Sequence, residues 1–370
     1  MLQQFNINQL LTEVNAYNEI KRDFIAPSPL ARVEDDGRTL TLKRDSEGVV
    51  DHMTAPMTDN FMRQVCTWAD LPLKYLDTMQ ERGRGELVAR NLNSWLDNVG
   101  KRGSENRLFR GYDGMLNCED ELRQFRSFHS DKYRVFDNFD LLDGINPVLQ
   151  RLNDEVGGIK IESCGLTDKR MYLKIVFPQI EGEVAKNDIV QSGVVISNSE
   201  TGQGAISVKP LIFRLVCLNG MVLPDRGTRS THLGKAGQEG EMVYECDTMD
   251  ALHEALKLQL RDHVAECADT AVFENSLTRM RALASSDEAV DPDATLEKVA
   301  KKYVLTEVET KSAKKSLWGS GDFTAWGFLN AVTNVANDHS NYDRASDLER
   351  IGGRILDLRT TEWNELAQAA

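Results

Sequence analysis

Residues 189–218 read IVQSGVVISNSETGQGAISVKPLIFRLVCL. Two apolar runs, Ile189–Ser197 and Ala205–Leu218, flank the polar, glycine-containing Glu200–Gly204. That pattern describes two antiparallel strands joined by a turn. Pro210 lacks the N–H that a ladder requires, so it is expected at a sheet edge or a bulge. Just upstream, Ile159–Ser163 and Met171–Phe177 form a second pair across Thr167-Asp168. In the later strand Met171, Leu173, Ile175 and Phe177 alternate toward a core, while Tyr172 and Lys174 face away. Downstream, Asn219–Gly240 is rich in Gly, Arg and Thr and reads as a long polar connection.

Farther out the strand signal thins. Arg107–Tyr112 and Phe125–Phe128 are strand-like about the polar Asn117–Glu121, and Asn146-Pro147 reads as the N-cap and first position of a helix carrying Val148, Leu149 and Leu152. Toward the N-terminus, Asp36-Gly37 turns between Ala31–Val33 and Thr39–Leu42, a hairpin. Thr58 then caps a helix carrying Phe61, Val65 and Trp68, and Asp70-Leu71-Pro72 leads into another through Tyr75 and Met79. Such a pair resembles a helix-turn-helix, but Lys74 and Arg82 are the basic residues of its second helix, so packing is the expected role.

Toward the C-terminus, Leu252, Leu256, Leu260, Val264, Cys267 and Ala271 follow one helical stripe. Asp287–Asp293 interrupts, and helices over Leu296–Val308, Phe323–Ala336 and Leu348–Leu358 complete the chain. The class is therefore α+β. A central, mostly antiparallel sheet core over 104–240 is flanked by a mostly helical N-terminal region with a hairpin (1–103) and a helical C-terminal region (241–370).

With 370 residues and a net charge of −14, the composition argues against a nucleic-acid coat spread over the whole chain. It leaves room for a local basic patch. Met1–Leu11 is polar and has no secretory pattern, and no run approaches the roughly 20 apolar residues of a membrane span. The six cysteines lie far apart without a C-x-x-C pair, which fits a reducing cytoplasm. No phosphate-cradling glycine loop, nucleophile elbow or H-E-x-x-H motif occurs, so no catalytic residue, metal or cofactor is assigned. His263 and Cys267 lie one helical turn apart but border the apolar stripe, as does His253. Asp338 and His339 are neighbours that point apart on a helix. Structural roles suit all of them.

The charges are distributed unevenly. Lys209, Arg214, Arg226, Arg229 and Lys235 oppose Asp225 alone in 205–237, whereas 238–300 carries 15 acidic and 5 basic residues. Arg107, Arg110, Arg126, Lys132 and Arg134 add cations near Tyr112 and Tyr133. Cations tracking phosphates beside aromatic rings that stack bases are how single-stranded nucleic acid is held. On that reading Arg110, Lys132, Arg134, Lys209, Arg214, Arg226 and Arg229 contact phosphates, and Tyr112 and Tyr133 stack.

Several motifs resemble those of a domain-of-unknown-function family (DUF 932) found in phages, plasmids and prophages. Ser130-Asp131-Lys132-Tyr133 is similar to its S-D-x-Y element. Ile196–Ser199 with Gly202–Val208, then Phe213–Asn219, is similar to its central N-S-x-x-G … R-x-V-C-x-N pattern. Thr324-Ala325-Trp326-Gly327, Asn330–Thr333 and Asp338-His339 resemble its T-A-W … D-H run. Leu71-Pro72 with Tyr75, and Asn91–Leu96, resemble its amino-terminal parts, so the likeness spans about 58–340. The resemblance implies an accessory protein of a mobile element, acting in the cytoplasm of a bacterial host in DNA maintenance, recombination or anti-restriction. By analogy of fold with single-strand annealing proteins, the expectation is a non-enzymatic, homo-oligomeric binder of single-stranded DNA. Two alternatives stand beside it. One is an interaction protein whose acidic C-terminal helices block a host defence or replication factor; the other is an enzyme with a site beside Asn219–Gly240.

Overall fold

The computed structural model describes residues 4–5, 7–46, 49–97, 106–116, 120–167, 169–216, 218–223, 228–230, 246–339 and 341–368. Strands β1 (Gln4–Phe5), β8 (Lys160–Leu166), β9 (Met171–Ala185), β10 (Asp188–Asn198), β11 (Ile206–Arg214) and β12 (Asn219–Val222) lie side by side in that order. β13 (Thr228–Ser230) also pairs with β11. A second sheet orders β2 (Lys21–Pro27), β6 (Asn106–Leu116) and β7 (Asp120–Ser130), and a third orders β3 (Ala31–Val33), β4 (Thr39–Ser46) and β5 (Val49–Pro56). Every ladder between these strands is antiparallel. The α+β class is the one expected from sequence.

The main sheet is buried on both faces. Leu173, Ile175 and Phe177 of β9 join Val190, Val194 and Ile196 of β10 and Val208 of β11 in the larger core. The helices on that side are α5 (Asn138–Glu155), α6 (Cys246–Cys267) and α7 (Thr270–Ala284), and the Ser192 hydroxyl donates to the Cys267 carbonyl of α6 at 2.9 Å. The face that Tyr172 and Lys174 occupy was expected to be open, yet both are buried. There Lys174 pairs with Glu349 of α11 (Tyr342–Leu356) at 2.6 Å, and the Tyr172 hydroxyl donates to Asp343 at 2.6 Å. A covering helix that is distant in sequence supplies partners for polar residues that alternation alone assigns to solvent.

Pro210 is at neither a bulge nor an outer edge. It stays in register with Val194 of β10, and its carbonyl accepts from Leu223. On that side β11 changes partner: β13 covers Ile206–Val208 and β12 covers Leu211–Arg214. The missing donor therefore falls where one neighbouring strand gives way to the next. The expected loop at Asn219 begins instead as β12. Residues 224–227 and 231–240 of that segment lie outside the described residues.

Other boundaries shift for local reasons. Pro147 is inside α5, not at its start; Asp137 caps the helix, and the Asp140 carboxylate accepts from the Asp137 N–H at 3.0 Å. The stripe expected through Ala271 breaks at Asp269, whose side chain caps α7, so Leu256, Leu260, Val264 and Cys267 are buried while Leu252 is exposed. The helix expected over Leu296–Val308 is two: α8 (Pro292–Tyr303) stops at Val304 with φ +57°, and α9 (Glu307–Ser320) starts in a Thr306/Glu309 capping box. Short helices α10 (Ala325–Asn334) and α12 (Thr360–Gln368) complete this half.

The N-terminal third packs α2 (Asp59–Ala69), α3 (Leu73–Glu81) and α4 (Gly85–Leu96) on the two small sheets, with Phe61 at the centre of a cluster containing Phe109, Phe125 and Phe128. The expected hairpin is present, with Gly37 at φ +70° and the Asp36 carboxylate accepting from Arg38 and Thr39 N–H. Helix α1 (Ile7–Ile20) joins the main core through Leu10 and Val14. Among the described residues no helix is long and apolar enough to cross a membrane.

Candidate functional site

The site begins at an irregularity in β7. Arg110 pairs with Ser127 and Gly111 pairs with Phe125, so Arg126 is an extra residue in the ladder. Phe125 and Phe128, three apart, both reach Phe61, which strict alternation would forbid. A bulge reconciles the two and re-aims the side chain between them. The Arg126 carbonyl is held from the other side by Thr58 and Asn60 at the start of α2.

The turn between β10 and β11 reaches this bulge. Arg126 Nη1 donates to the Glu200 carboxylate and, at 2.6 Å, to the Tyr112 hydroxyl, with its guanidinium 4.4 Å from the centre of the Tyr112 ring. The Glu200 carboxylate also accepts from the Asn138 N–H at the start of α5, and its backbone carbonyl accepts from Arg110 Nη1 at 2.7 Å. Arg110 in turn binds Asp137 at 2.7 Å and Asp23 at 2.8 Å, and Lys21 reaches Asp137 at 2.9 Å. Three cations and three carboxylates thus tie the second sheet to the main sheet. Burial alone would raise the Asp137 carboxyl, but Arg110, Arg126 and Lys21 hold it well below the usual carboxylate range. Burial pushes the Tyr112 and Tyr133 phenols well above theirs.

The same turn is tied to α2, because Asn60 and Gln64 donate to the Thr201 carbonyl at 3.3 and 2.8 Å. Gly202 has φ +74°, and a Cβ there would lie 2.5 Å from His129 Cε1. His129 is stacked on Tyr133 with ring centres 3.8 Å apart. The N-S-x-x-G and S-D-x-Y elements, about seventy residues apart, therefore meet at this turn.

Beside it opens a cleft of about 830 Å³, within the range of small-ligand sites. Tyr17, Tyr112 and Arg126 line one part, and Arg63, Lys169, Arg170 and Gln203 another. Arg63 Nη1 donates to the Gln203 side chain at 3.4 Å, and Arg170 Nη2 to the Gln203 carbonyl at 2.8 Å. Among the described residues no carboxylate pairs with Arg63, Lys169 or Arg170. Glu13, Asp59 and Asp343 also line the cleft, so its walls carry both signs of charge.

Of the nine residues singled out from sequence, the structure brings Arg110, Tyr112 and Tyr133 to the neighbourhood of the Glu200 turn, and among the described ones only Tyr112 lines the cleft. Arg110 is fully buried with its charge matched by two carboxylates, which removes it as a surface phosphate contact. Arg214 is likewise occupied, by a two-pronged pair with Asp188 at 2.6 and 2.9 Å. Lys132 is exposed, and Arg134 donates to the Leu252 carbonyl of α6. Lys209 projects from β11 and does not line the cleft. The backbone of Arg229 pairs with Ser207; its side chain, and Arg226 altogether, lie outside the described residues. Arg63, Lys169 and Arg170 escaped sequence reasoning because each is an unremarkable surface cation until α2, the β8–β9 turn and the β10–β11 turn converge. Arg126 did leave a signal: a Phe-x-x-Phe spacing in a strand whose two rings both demand a core.

The remaining motifs serve packing. Trp326 Nε1 of α10 donates to Asp188 at 2.8 Å, beside its pair with Arg214, and Asn219 donates to the Thr333 hydroxyl. His339 Nδ1 accepts from Asn341, and its Nε2 lies 3.4 Å from Glu309. The first two bonds fasten α10 to β10 and β12, and His339 ties the α10–α11 connection to α9.

An α+β chain whose recurring motifs build either this cleft or the helix–sheet seam beside it has the marks of one family. The chain belongs to the domain-of-unknown-function family DUF932, whose model matches residues 127–365. No curated protein and no solved structure matches the chain. The match starts at Ser127, so Leu71-Pro72, Tyr75 and Asn91–Leu96 lie outside it, and it runs past the expected end at 340.

Proposed function

We propose that the protein is a non-enzymatic accessory protein of a phage, plasmid or prophage that binds single-stranded DNA, with the cleft beside the Glu200 turn as its seat. The observation that carries this reading is the group of Arg63, Lys169 and Arg170 without a carboxylate partner among the described residues, in one cleft with Tyr17 and Tyr112. Cations without carboxylate partners beside the half-buried ring of Tyr17 are components of a sequence-tolerant strand site. Tyr112 is itself buried, with Arg126 and Tyr17 against its ring, and so does not stack a base. Arg63, Lys169 and Arg170 take the phosphate contacts, since Arg110 and Arg214 are neutralised by carboxylates. The protein would act in the bacterial cytoplasm, as a homo-oligomer.

Fluorescence anisotropy with a labelled oligonucleotide tests it. Binding should weaken with salt at a log–log slope of about −2, the value for three phosphates neutralised on a single strand. Replacing Arg63 and Arg170 together by Gln should flatten that slope. No anisotropy change at low salt refutes the reading. A second reading rests on Val304 and Val308, 78% and 77% exposed at the α8–α9 junction just after the acidic stretch 238–300. It makes that surface a dock for a host defence or replication protein, and a stoichiometric partner that survives nuclease treatment would favour it.

A further inference from the structure

Arg126 carries an observation independent of the cations on the cleft wall. It lines the cleft and is only 4% exposed, and its Nη1 is fully engaged by Glu200 and Tyr112. Its Nε and Nη2 are buried and meet no hydrogen-bond acceptor among the described residues. A buried guanidinium with idle donors is unusual, because unmet charged donors are costly to bury. Arg126 is the extra residue of the β7 bulge, and its side chain meets those of Tyr112 and Glu200.

We propose that Arg126 receives a terminal phosphate monoester, with the strand or nucleotide that bears it entering past Arg63, Lys169 and Arg170. A turn of the guanidinium about its Nη1 anchor to Glu200 presents Nε and Nη2 to the cleft as a two-pronged donor. That fork matches two oxygens of one phosphate. A terminal phosphate suits a nearly buried position better than a mid-strand diester, which must bring a sugar in on both sides. It also carries about −1.5 to −2 charges near neutral pH, against one for a diester. The local balance of Arg110, Arg126 and Lys21 against Asp23, Asp137 and Glu200 leaves no excess cation beside Arg126. Neutralising a dianion therefore draws on the unpaired wall cations. This inference rests on the strand-binding reading for the source of the phosphate, but not for its chemistry.

The test compares oligonucleotides of one sequence bearing a 5′-phosphate, a 3′-phosphate or two hydroxyl ends, together with thymidine and its 5′-monophosphate, by anisotropy and calorimetry on the full chain. In the wild-type protein at least one phosphorylated end should bind about tenfold tighter than the hydroxyl form, as expected for one charge-assisted hydrogen bond. Arg126→Lys keeps the charge but not the fork and should erase the ratio between phosphorylated and hydroxyl ends. Binding of the monophosphate but not thymidine, without any oligonucleotide binding, supports the seat and overturns the strand reading. Equal affinity for phosphorylated and hydroxyl ends in the wild-type protein overturns the seat while the strand reading stands. Because that comparison needs no variant, a folding defect in Arg126→Lys cannot obscure it.

Discussion

Replacing Arg110 by Met removes the cation that holds two sheets to one turn. Arg110 is fully buried; it binds Asp137, which is 2% exposed, and Asp23, and it donates to the Glu200 carbonyl. Methionine fills much of the aliphatic volume, so the loss is electrostatic and not a cavity. Removing one member of a buried pair leaves an uncompensated charge and costs about 3–5 kcal/mol. The pH dependence separates this from generic damage. In the wild-type protein the depressed Asp137 carboxyl contributes stability that is complete above about pH 4 and is lost only as pH falls toward its folded pKa. In the variant, burial acts on Asp137 with its nearest cation gone, so its folded pKa rises. Its penalty is then largest at neutral pH and is relieved as the carboxyl protonates. Arg126 and Lys21 still act on Asp137 in the variant, so urea unfolding followed from about pH 7 down to about pH 3 should show a deficit that shrinks only in acid. A deficit under about 1 kcal/mol at neutral pH, or one that does not change with pH, refutes the reasoning.

Lys174→Met should cost about 3–5 kcal/mol by stranding Glu349, and the double change Lys174→Met/Glu349→Leu should recover most of it; urea denaturation of all three proteins checks this. Gly202→Ala should lose about 1–3 kcal/mol, because the position combines φ +74° with a Cβ overlapping His129, and a thermal melt reads the loss. Glu309 should titrate at about 2, held down by hydrogen bonds from Arg344 against its burial. Its share of stability is present above the ordinary carboxylate pKa and disappears as pH falls toward 2. Carbon-detected NMR titration measures this, and in Arg344→Met the Glu309 pKa should move upward.

The main sheet was legible because β9, β10 and β11 are apolar enough to read as strands without their neighbours. The polar face of β9 was misjudged for the opposite reason. Nothing near Lys174 in sequence announces Glu349, and a lysine is assigned to solvent unless its partner is in view. Arg110 shows the same limit at the site: a cation in an aromatic strand reads as a phosphate contact until Asp137 and Asp23 are seen to consume its charge. The family motifs fared better. Asn198–Gly202 pointed to the turn on which the cleft is built, although nothing in it said that Glu200 would bind an arginine on a bulge in β7.

The boundary of the family match gives that bulge a further meaning. The match begins at Ser127, one residue after Arg126 and in the middle of β7. Arg170, Glu200, Gln203 and Asp343 therefore belong to the shared part of the chain. Tyr17, Arg63, Tyr112 and Arg126 precede the matched span. The cleft therefore straddles the boundary of the match, with Lys169 and Arg170 on one side of it and Arg63 and Arg126 on the other.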